Sequence, residues 1–130
     1  MVFLSDASIR TPKVCFPQKC FSVEVVSQQA DLQKGLMFRE YLNQAKGMLF
    51  IFPQKGMYDF WMKNTLIPLD IIWLDESGKI VSITSYALPC REHPCPSYHP
   101  QEPAQYVLEI NGGLCEKFHI RVGEKAKIFF

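Results

Sequence analysis

Residues 69–84 read LDIIWL, then DESG, then KIVSIT, and this stretch decides the class of fold. Its first and last parts are rich in the apolar and β-branched side chains that favour β-strands. The polar part between them ends in Gly78, which can adopt the positive φ that a tight connection requires. The stretch therefore predicts an antiparallel hairpin, with strands at Leu69 to Leu74 and Lys79 to Thr84.

Strand signals continue on both sides of this hairpin. Apolar runs bounded by turn residues mark the segments 14–16, 19–25, 47–52, 58–65, 105–110 and 125–130. Pro17 indicates the turn of a second hairpin, and Pro53 is expected to close the strand 47–52. The pair Gly112–Gly113 ends the strand 105–110, and we expect a short helical turn at Leu114 to Phe118.

One segment, Gln28 to Phe38, has the pattern of a helix. Ser27 can serve as its N-cap, Asp31 lies in its first turn where the helix dipole favours an acid, and Leu32 and Leu36 share a face. In contrast, the segment from Leu88 to Pro103 is rich in proline and contains Cys90 and Cys95, which excludes regular structure over that length. It predicts a long surface loop.

Together these elements predict a mostly β fold: a compact β sandwich or barrel with one flanking α-helix and a long Pro/Cys-rich loop. The chain has 130 residues, of which 48% are hydrophobic, and this length and composition are typical of one domain with one core. We expect residues 1–13, which end in Thr11-Pro12-Lys13, to form a loosely ordered N-terminal arm. Residues 14–130 then form a single β domain.

Charge and hydropathy limit the possible partners. Lys and Arg total 14 against 13 Asp and Glu, so the net charge is +1, and no run of like charge occurs. Nucleic acids and anionic membranes are recognised by concentrated positive charge, so we expect neither as a partner. The longest apolar run, Met48 to Phe52, is far shorter than the roughly 20 residues of a membrane-spanning helix.

Cysteine spacing bears on the compartment. Cys15 and Cys20 form one close pair, Cys90 and Cys95 form another, and Cys115 is left over. Two local disulfides in an oxidising compartment are the simpler interpretation. Zinc bound by Cys90, Cys95 and the nearby histidines His93 and His99 is the alternative, although the cysteine spacing lies at the edge of the zinc range and Pro94 restricts the loop. We therefore expect no metal and no cofactor.

The N-terminus shows no signal peptide, because it has neither a positive segment nor an extended apolar one. The localisation is therefore extracytoplasmic, periplasmic or secreted, if a signal segment has been removed, and otherwise cytoplasmic.

Several motifs together resemble domain-of-unknown-function family 192, an uncharacterised group of small prokaryotic domains that often follow secretion signals. They are Gly35-Leu36-Met37-Phe38-Arg39-Glu40, Gly47-Met48-Leu49-Phe50, Phe60-Trp61-Met62-Lys63-Asn64-Thr65-Leu66-Ile67-Pro68-Leu69-Asp70, Tyr106-Val107-Leu108-Glu109-Ile110-Asn111 and the glycines Gly113 and Gly123. The resemblance spans about residues 21–127. It implies a compact β fold and often an extracytoplasmic setting, but no activity. The chain departs from the family at His119, where members commonly have Gly, and at Cys115, where they often have Ala.

The best candidate for a functional surface is the cluster Trp61, Lys63, Asn64 and Asp70. An aromatic face, a charge and directional hydrogen-bonding groups suit a ligand pocket. Alternatively, Asn64 forms a local turn bond and Asp70 neutralises Lys63 or Arg39. Ligand-binding candidates are therefore Trp61, Lys63, Asn64, Asp70, Arg39 and, on weaker grounds because it also suits a turn, Asn111.

No catalytic residues can be assigned, because the chain lacks a nucleophile elbow, a phosphate loop, a zinc-protease helix and a dinucleotide fingerprint. The leading hypothesis is a non-enzymatic extracytoplasmic binding or accessory domain for an unknown small molecule or an envelope protein. The alternative is a small hydrolase or thiol enzyme that uses Cys115, with His93 or His119 as base, or the loop cysteines Cys90 and Cys95.

Overall fold

The structure, a computed structural model, describes residues 11–130. Within that range nine strands and two short helices follow one another in the order β1 (Lys13–Cys15), β2 (Cys20–Val26), α1 (Gln29–Lys34), β3 (Lys46–Gly56), β4 (Phe60–Trp61), β5 (Leu69–Leu74), β6 (Ile80–Ala87), β7 (Ser97–Tyr98), β8 (Ala104–Asn111), α2 (Leu114–Phe118) and β9 (Lys127–Phe129). Most of the predicted arm, residues 1–10, lies outside the described residues.

Seven of these strands form one sheet in the order β6-β5-β8-β3-β2-β1-β9, which curls into a half-barrel, while β4 and β7 pair separately. The structure therefore confirms the mostly β, barrel-like fold. The hairpin predicted around Gly78 is the pair β5–β6, with Ile72 opposite Ile83. The short helical turn predicted at Leu114 to Phe118 is α2.

A parallel pair, β2 and β3, lies in the middle of an otherwise antiparallel sheet, with Ser22 opposite Lys46. Parallel neighbours cannot be joined by a tight turn, so the chain crosses over the sheet between them, and α1 is part of that crossover. This helix has six residues and not the predicted span Gln28 to Phe38. Gly35 ends it with a φ of +49°, and Gln28, not Ser27, is its N-cap.

The bounds of several predicted strands differ from the observed ones, most clearly at β3 and β4. Strand β3 does not stop at Pro53 but continues to Gly56, because its pairing with β8 is irregular between Ile51 and Gly56 and needs no N–H from the proline. The predicted strand 58–65 is regular only at Phe60–Trp61, which pairs with β7 from within the predicted loop. Beyond it the chain turns at Asn64, whose φ is +57°.

The sheet buries apolar side chains on both faces. One face carries the larger cluster around Leu49, Ile72, Leu108 and Ile110, and the other carries the cluster of Met48, Phe50, Met62, Ile71, Trp73 and Val107. Successive residues of a strand point to opposite faces, so central strands such as β5, all six of whose residues are buried, contribute to both. Trp73 also donates its indole N–H to the Tyr58 carbonyl at 2.8 Å.

The two ends of the curled sheet are linked by the segment 123–126. Gly78, at the turn before β6, accepts a hydrogen bond of 2.9 Å from the Ala126 N–H, and Ile80 donates one of 2.8 Å to the Glu124 carbonyl. A Cβ on Gly78 would lie 2.4 Å from the Ala126 carbonyl oxygen, so this close approach requires glycine. The segment 123–126 therefore attaches the chain just before β9 to the start of β6.

Both predicted cysteine pairs lie at bonding distance, which confirms that prediction. Cys15 and Cys20 are cross-strand partners in the β1–β2 hairpin, with a sulfur separation of 2.07 Å, and the Cys90 and Cys95 sulfurs are 2.09 Å apart. Of the helices in the described range, neither is long and apolar enough to span a membrane.

Candidate functional site

A cavity of about 980 Å³ opens between α1 and the sheet. Its first wall is formed by α1 and the turn that follows it, and its second wall is aromatic. Its lining comprises Ser27, Gln29, Ala30, Leu32, Gln33, Lys34, Gly35, Leu36, Met37, Phe50, Phe52, Pro53, Tyr58, Asp59, Phe60, Trp61, Thr65 and Glu109. The crossover that makes β2 and β3 parallel thus also creates the cavity.

The aromatic wall is built from rings that contact one another. The Phe52 and Tyr58 rings are stacked with their centroids 3.7 Å apart. The Phe60 and Phe50 rings pack edge to face with their centroids 4.9 Å apart. Behind the wall, Phe60 also contacts the buried Trp73 at 6.1 Å. Rings that fix one another in this way give the cavity an apolar and well-defined surface.

Glu109 is the buried carboxyl of this cavity. It lies on β8 between Met48 of β3 and Ile71 of β5, and only 4% of its surface is exposed. No group of residues 11–130 hydrogen-bonds to its carboxyl. Since no polar side-chain atom in that range is both fully enclosed and unbonded, its carboxyl oxygens must open onto the cavity.

Burial raises the pKa of Glu109 to about 8, because the ionised form loses its hydration and gains no partner among residues 11–130. At neutral pH the side chain is therefore mostly a neutral acid, able both to donate and to accept a hydrogen bond. Gly35 lies over it: a Cβ there would be 3.9 Å from Glu109 Oε1 and 3.2 Å from the Phe50 ring. The absence of a side chain at Gly35 keeps this end of the cavity open.

Of the candidates predicted from the sequence, the structure places Trp61 in the cavity wall, with 41% of its surface exposed. Lys63 lies beside it, with Nζ 5.2 Å from the indole centroid. Asn64 serves the turn after β4: its N–H donates to the Cys90 carbonyl at 2.9 Å, and its carbonyl accepts from the Phe38 N–H at 2.8 Å.

Asp70 does not lie on the surface with Trp61, so its predicted place in that cluster must be corrected. It is fully buried, and Oδ1 accepts hydrogen bonds from the Tyr86 and Gly113 N–H groups at 2.7 and 3.0 Å. Oδ2 accepts from the Cys115 N–H at 2.8 Å. It pairs with neither Lys63 nor Arg39, because its oxygens already accept hydrogen bonds from backbone N–H groups of β6 and of the start of α2.

Arg39 and Asn111 also lie away from the cavity lining. The Arg39 guanidinium forms a bidentate ion pair with the Glu24 carboxylate. The distance from Arg39 Nη2 to Glu24 Oε1 is 2.8 Å. The Asn111 side chain donates to the Leu42 carbonyl at 2.6 Å and so holds the chain that precedes β3. Each of these side chains is already bound within the protein.

Of the cysteines named as candidates, Cys115 is free and buried, and the two loop cysteines are bonded to each other. Burial raises the pKa of the Cys115 thiol far above its ordinary value, and the adjacent Asp70 carboxyl adds to the shift, so the reactive thiolate is suppressed. Cys90 and Cys95 are joined to each other. Within residues 11–130 no group of three or more His, Cys, Asp or Glu side chains is arranged to hold a metal ion.

Glu109 is the residue that the sequence analysis missed as a site candidate. A signal was present, since Val107-Leu108-Glu109-Ile110 places a carboxyl inside a strand whose neighbours on both faces are apolar. Strands of that kind are buried on both sides, and a charge there needs a reason.

Comparison with known proteins agrees with this fold. A crystal structure of a protein of unknown function from Novosphingobium aromaticivorans DSM 12444 is 35% identical, with a TM-score of 0.81 over 90% of this chain and 83% of that chain. A second, from Sinorhizobium meliloti 1021 and named a "putative transcription regulator", is 28% identical, with a TM-score of 0.79 over 90% of this chain and 91% of that chain. No curated protein matches significantly.

The family resemblance noted in the sequence extends over nearly the whole chain. Residues 13–128 match the family DUF192, described as an uncharacterized ACR. This span includes strands β1 to β8, all of β9 except Phe129, and every residue of the cavity lining. The chain therefore belongs to the DUF192 family.

Proposed function

We propose that this chain is a small-ligand-binding domain whose site is the cavity between α1 and the aromatic wall. The cavity itself carries the proposal. At about 980 Å³ it lies at the upper end of the range of small-molecule pockets, and apolar walls with few polar groups are typical of such pockets. A small ligand is favoured over an envelope protein as the occupant because the polar group lies at the cavity's buried end and not on its rim.

We place this activity in the non-enzymatic class. The thiol-enzyme alternative needs an accessible thiolate, and the burial of Cys115 together with the Cys90–Cys95 disulfide speaks against one. A hydrolase would need a nucleophile bonded to an adjacent base, and within residues 11–130 no hydrogen bond joins a hydroxyl of the lining to a carboxyl of the lining, since the Thr65 hydroxyl donates to the Lys63 carbonyl.

The two disulfides support an extracytoplasmic setting, because local disulfides persist in oxidising compartments. The Sinorhizobium protein is named a "putative transcription regulator", but the charge of this chain speaks against a nucleic acid as its own partner. A net charge of +1 without a basic run gives no concentrated positive field for a phosphate backbone.

A fragment titration followed by NMR tests the proposal. Small apolar and aromatic fragments are added to the ¹⁵N-labelled protein, and the largest shifts are expected at the Gly35 and Phe50 amides and the Trp61 indole. Ala30→Phe, which fills the cavity from α1, should abolish those shifts. Ala45→Phe is the matched control, because Ala45 is exposed and outside the lining, and it should leave them unchanged. Fragments that bind both variants equally would contradict the proposal.

A further inference from the structure

We propose that the cavity selects an organic ammonium ligand, a protonated amine on an apolar body, and that the Glu109 carboxyl binds its N–H groups. This inference rests on the proposed function and adds the chemical class of the ligand. It draws on three features of the cavity: a carboxyl at its buried end with no partner among residues 11–130, aromatic faces along its wall, and the sign of the charges around it.

The carboxyl is the first of these features. Buried polar groups are almost always hydrogen-bonded, and a buried carboxyl without a partner destabilises the protein. In this protein the buried Asp70 carboxyl follows that rule, since it accepts three backbone N–H bonds, whereas Glu109 receives none from the described residues. Its oxygens face a cavity, so a hydrogen-bond donor that enters the cavity would supply the missing partner.

The aromatic wall distinguishes a cation from a neutral donor. Trp, Tyr and Phe rings attract cations through the negative electrostatic potential of their faces, and the attraction grows when the cation is removed from water. Trp61 already holds the Lys63 ammonium near its ring, 5.2 Å from the centroid. Phe52, Tyr58 and Phe60 offer further rings along the same wall.

The charged groups around the cavity are consistent with this choice. Beside Glu109, strands β3 and β5 contribute the apolar Met48, Phe50 and Ile71, so no cation within the sheet neutralises the carboxyl. The segment before β4 contributes Asp59, whose carboxyl contacts His99 Nδ1 at 2.8 Å.

Helix α1 contributes Lys34, whose exposed ammonium is screened by solvent. An anionic ligand would meet two carboxyl groups, that of Asp59 at the exposed side of the cavity and that of Glu109 at its buried end. An ammonium would meet two potential counter-ions.

Binding of an ammonium should release a proton. Free Glu109 is mostly protonated at neutral pH, since its pKa is about 8, and a cation beside it favours the ionised form. The affinity should therefore rise about tenfold per pH unit from about pH 6 to about pH 8 and then level off. It should fall only where the amine itself loses its proton, near pH 10 for a primary amine.

The test uses two probes that differ only in the group that would meet Glu109, namely 2-phenylethylamine and 2-phenylethanol. Calorimetric titrations of the full chain at about pH 8 should show the amine binding at least about tenfold more tightly than the alcohol. In two buffers of different ionisation enthalpy at about pH 7, about one proton should be released per amine bound and none per alcohol.

Glu109→Gln keeps the shape of the side chain and removes its charge, so both probes should bind it equally and without pH dependence. Glu116→Gln, an exposed change on α2, should behave like the wild type. Equal binding of both probes to the wild type, or an amine preference that survives in Glu109→Gln, would overturn the ammonium inference and leave small-ligand binding intact. Absence of binding by either probe at millimolar concentration would count against both proposals.

Discussion

The Asp70 Oδ2 atom accepts a 2.8 Å hydrogen bond from the backbone N–H of Cys115, and so ties β5 to the first turn of α2. The other oxygen of the same carboxyl binds the N–H groups of Tyr86 and Gly113. Asp70 is thus a buried carboxyl with all its partners inside the protein. Glu109, on the neighbouring strand, is a buried carboxyl with none among the described residues, and this contrast is the basis for proposing that Glu109 binds a ligand.

Asp70→Asn should destabilise the fold strongly although it preserves the side-chain shape. With the amide oxygen placed on the Tyr86 and Gly113 N–H groups, the amide nitrogen must face the Cys115 N–H, donor against donor. We expect the free energy of unfolding to fall by about 2 kcal/mol or more, measured by urea denaturation. Asp31→Asn, on exposed α1, serves as the control, and an equal effect in both variants would contradict the assigned role.

The stability of the wild type should fall with rising pH because of Glu109. The folded pKa of about 8 lies above the unfolded value of 4.5, so between these values the folded state holds a proton that the unfolded state has lost. The contribution of the protonated carboxyl to the free energy of unfolding is fully present below about pH 4.5. It then falls by up to about 1.4 kcal/mol per pH unit until the pH passes about 8. Urea denaturation at about pH 5 and about pH 8 checks this slope.

Glu109→Gln does not titrate, so its stability relative to the wild type should increase over the same pH interval. Glu116→Gln, at an exposed glutamate, should follow the wild-type profile. Parallel pH profiles for wild type and Glu109→Gln would show that Glu109 ionises normally in the folded protein.

Gly35→Ala should be more destabilising than Gly123→Ala. Both glycines have positive φ, +49° and +99°, so both variants carry backbone strain. Only at Gly35 would the added methyl meet a ring, with Phe50 Cζ at 3.2 Å, whereas nothing lies within 4 Å at Gly123. Thermal denaturation should show a further loss of about 1 kcal/mol at Gly35. Equal losses would indicate that strain alone acts at both positions.

Trp61→Ala and Lys63→Ala should separate binding from folding. Trp61 lines the cavity and is 41% exposed, so its loss should weaken the binding of aromatic fragments with a modest effect on the melting temperature. Lys63→Ala should leave the melting temperature nearly unchanged, because a cation–π contact at the surface contributes only about 0.5–1 kcal/mol. A collapse of folding in Lys63→Ala would instead assign Lys63 a structural role.

Thiol titration should find one reactive cysteine among five in the unfolded, unreduced protein. In the native protein even this thiol, Cys115, should react slowly, because it is 3% exposed and burial raises its pKa. Zinc analysis of the same sample completes the measurement. Five reactive thiols, or stoichiometric zinc, would be incompatible with the two disulfides and with an oxidising compartment.

Local features of the fold could be predicted from the sequence, and long-range ones could not. The β5–β6 hairpin depends on residues within one stretch, around the turn at Gly78, and the Cys15–Cys20 pair follows from a single short turn. The parallel pairing of β2 with β3 depends instead on a crossover whose helix, with only six residues, gives a weak sequence pattern.

The candidate site shows the same division. Trp61 can be predicted as a cavity residue because its chemistry is visible in its own motif, whereas closeness in sequence to Trp61 does not predict the place of Asp70 in space. The chain between them turns at Asn64, and Asp70 then enters a buried strand. Glu109 was missed as a site because its environment is supplied by β3, β5 and α1, none of which adjoins it in the chain.

The link made by segment 123–126 between the start of β6 and the approach to β9 has a consequence for vectorial synthesis. During translation strands β1 to β8 leave the ribosome before this segment, and of the described strands only β9 follows it, so this end of the sheet stays unfastened until the segment has emerged. Nascent chains stalled before Gly123 should therefore remain open to proteases, and a few further residues beyond the exit tunnel should complete the protected domain.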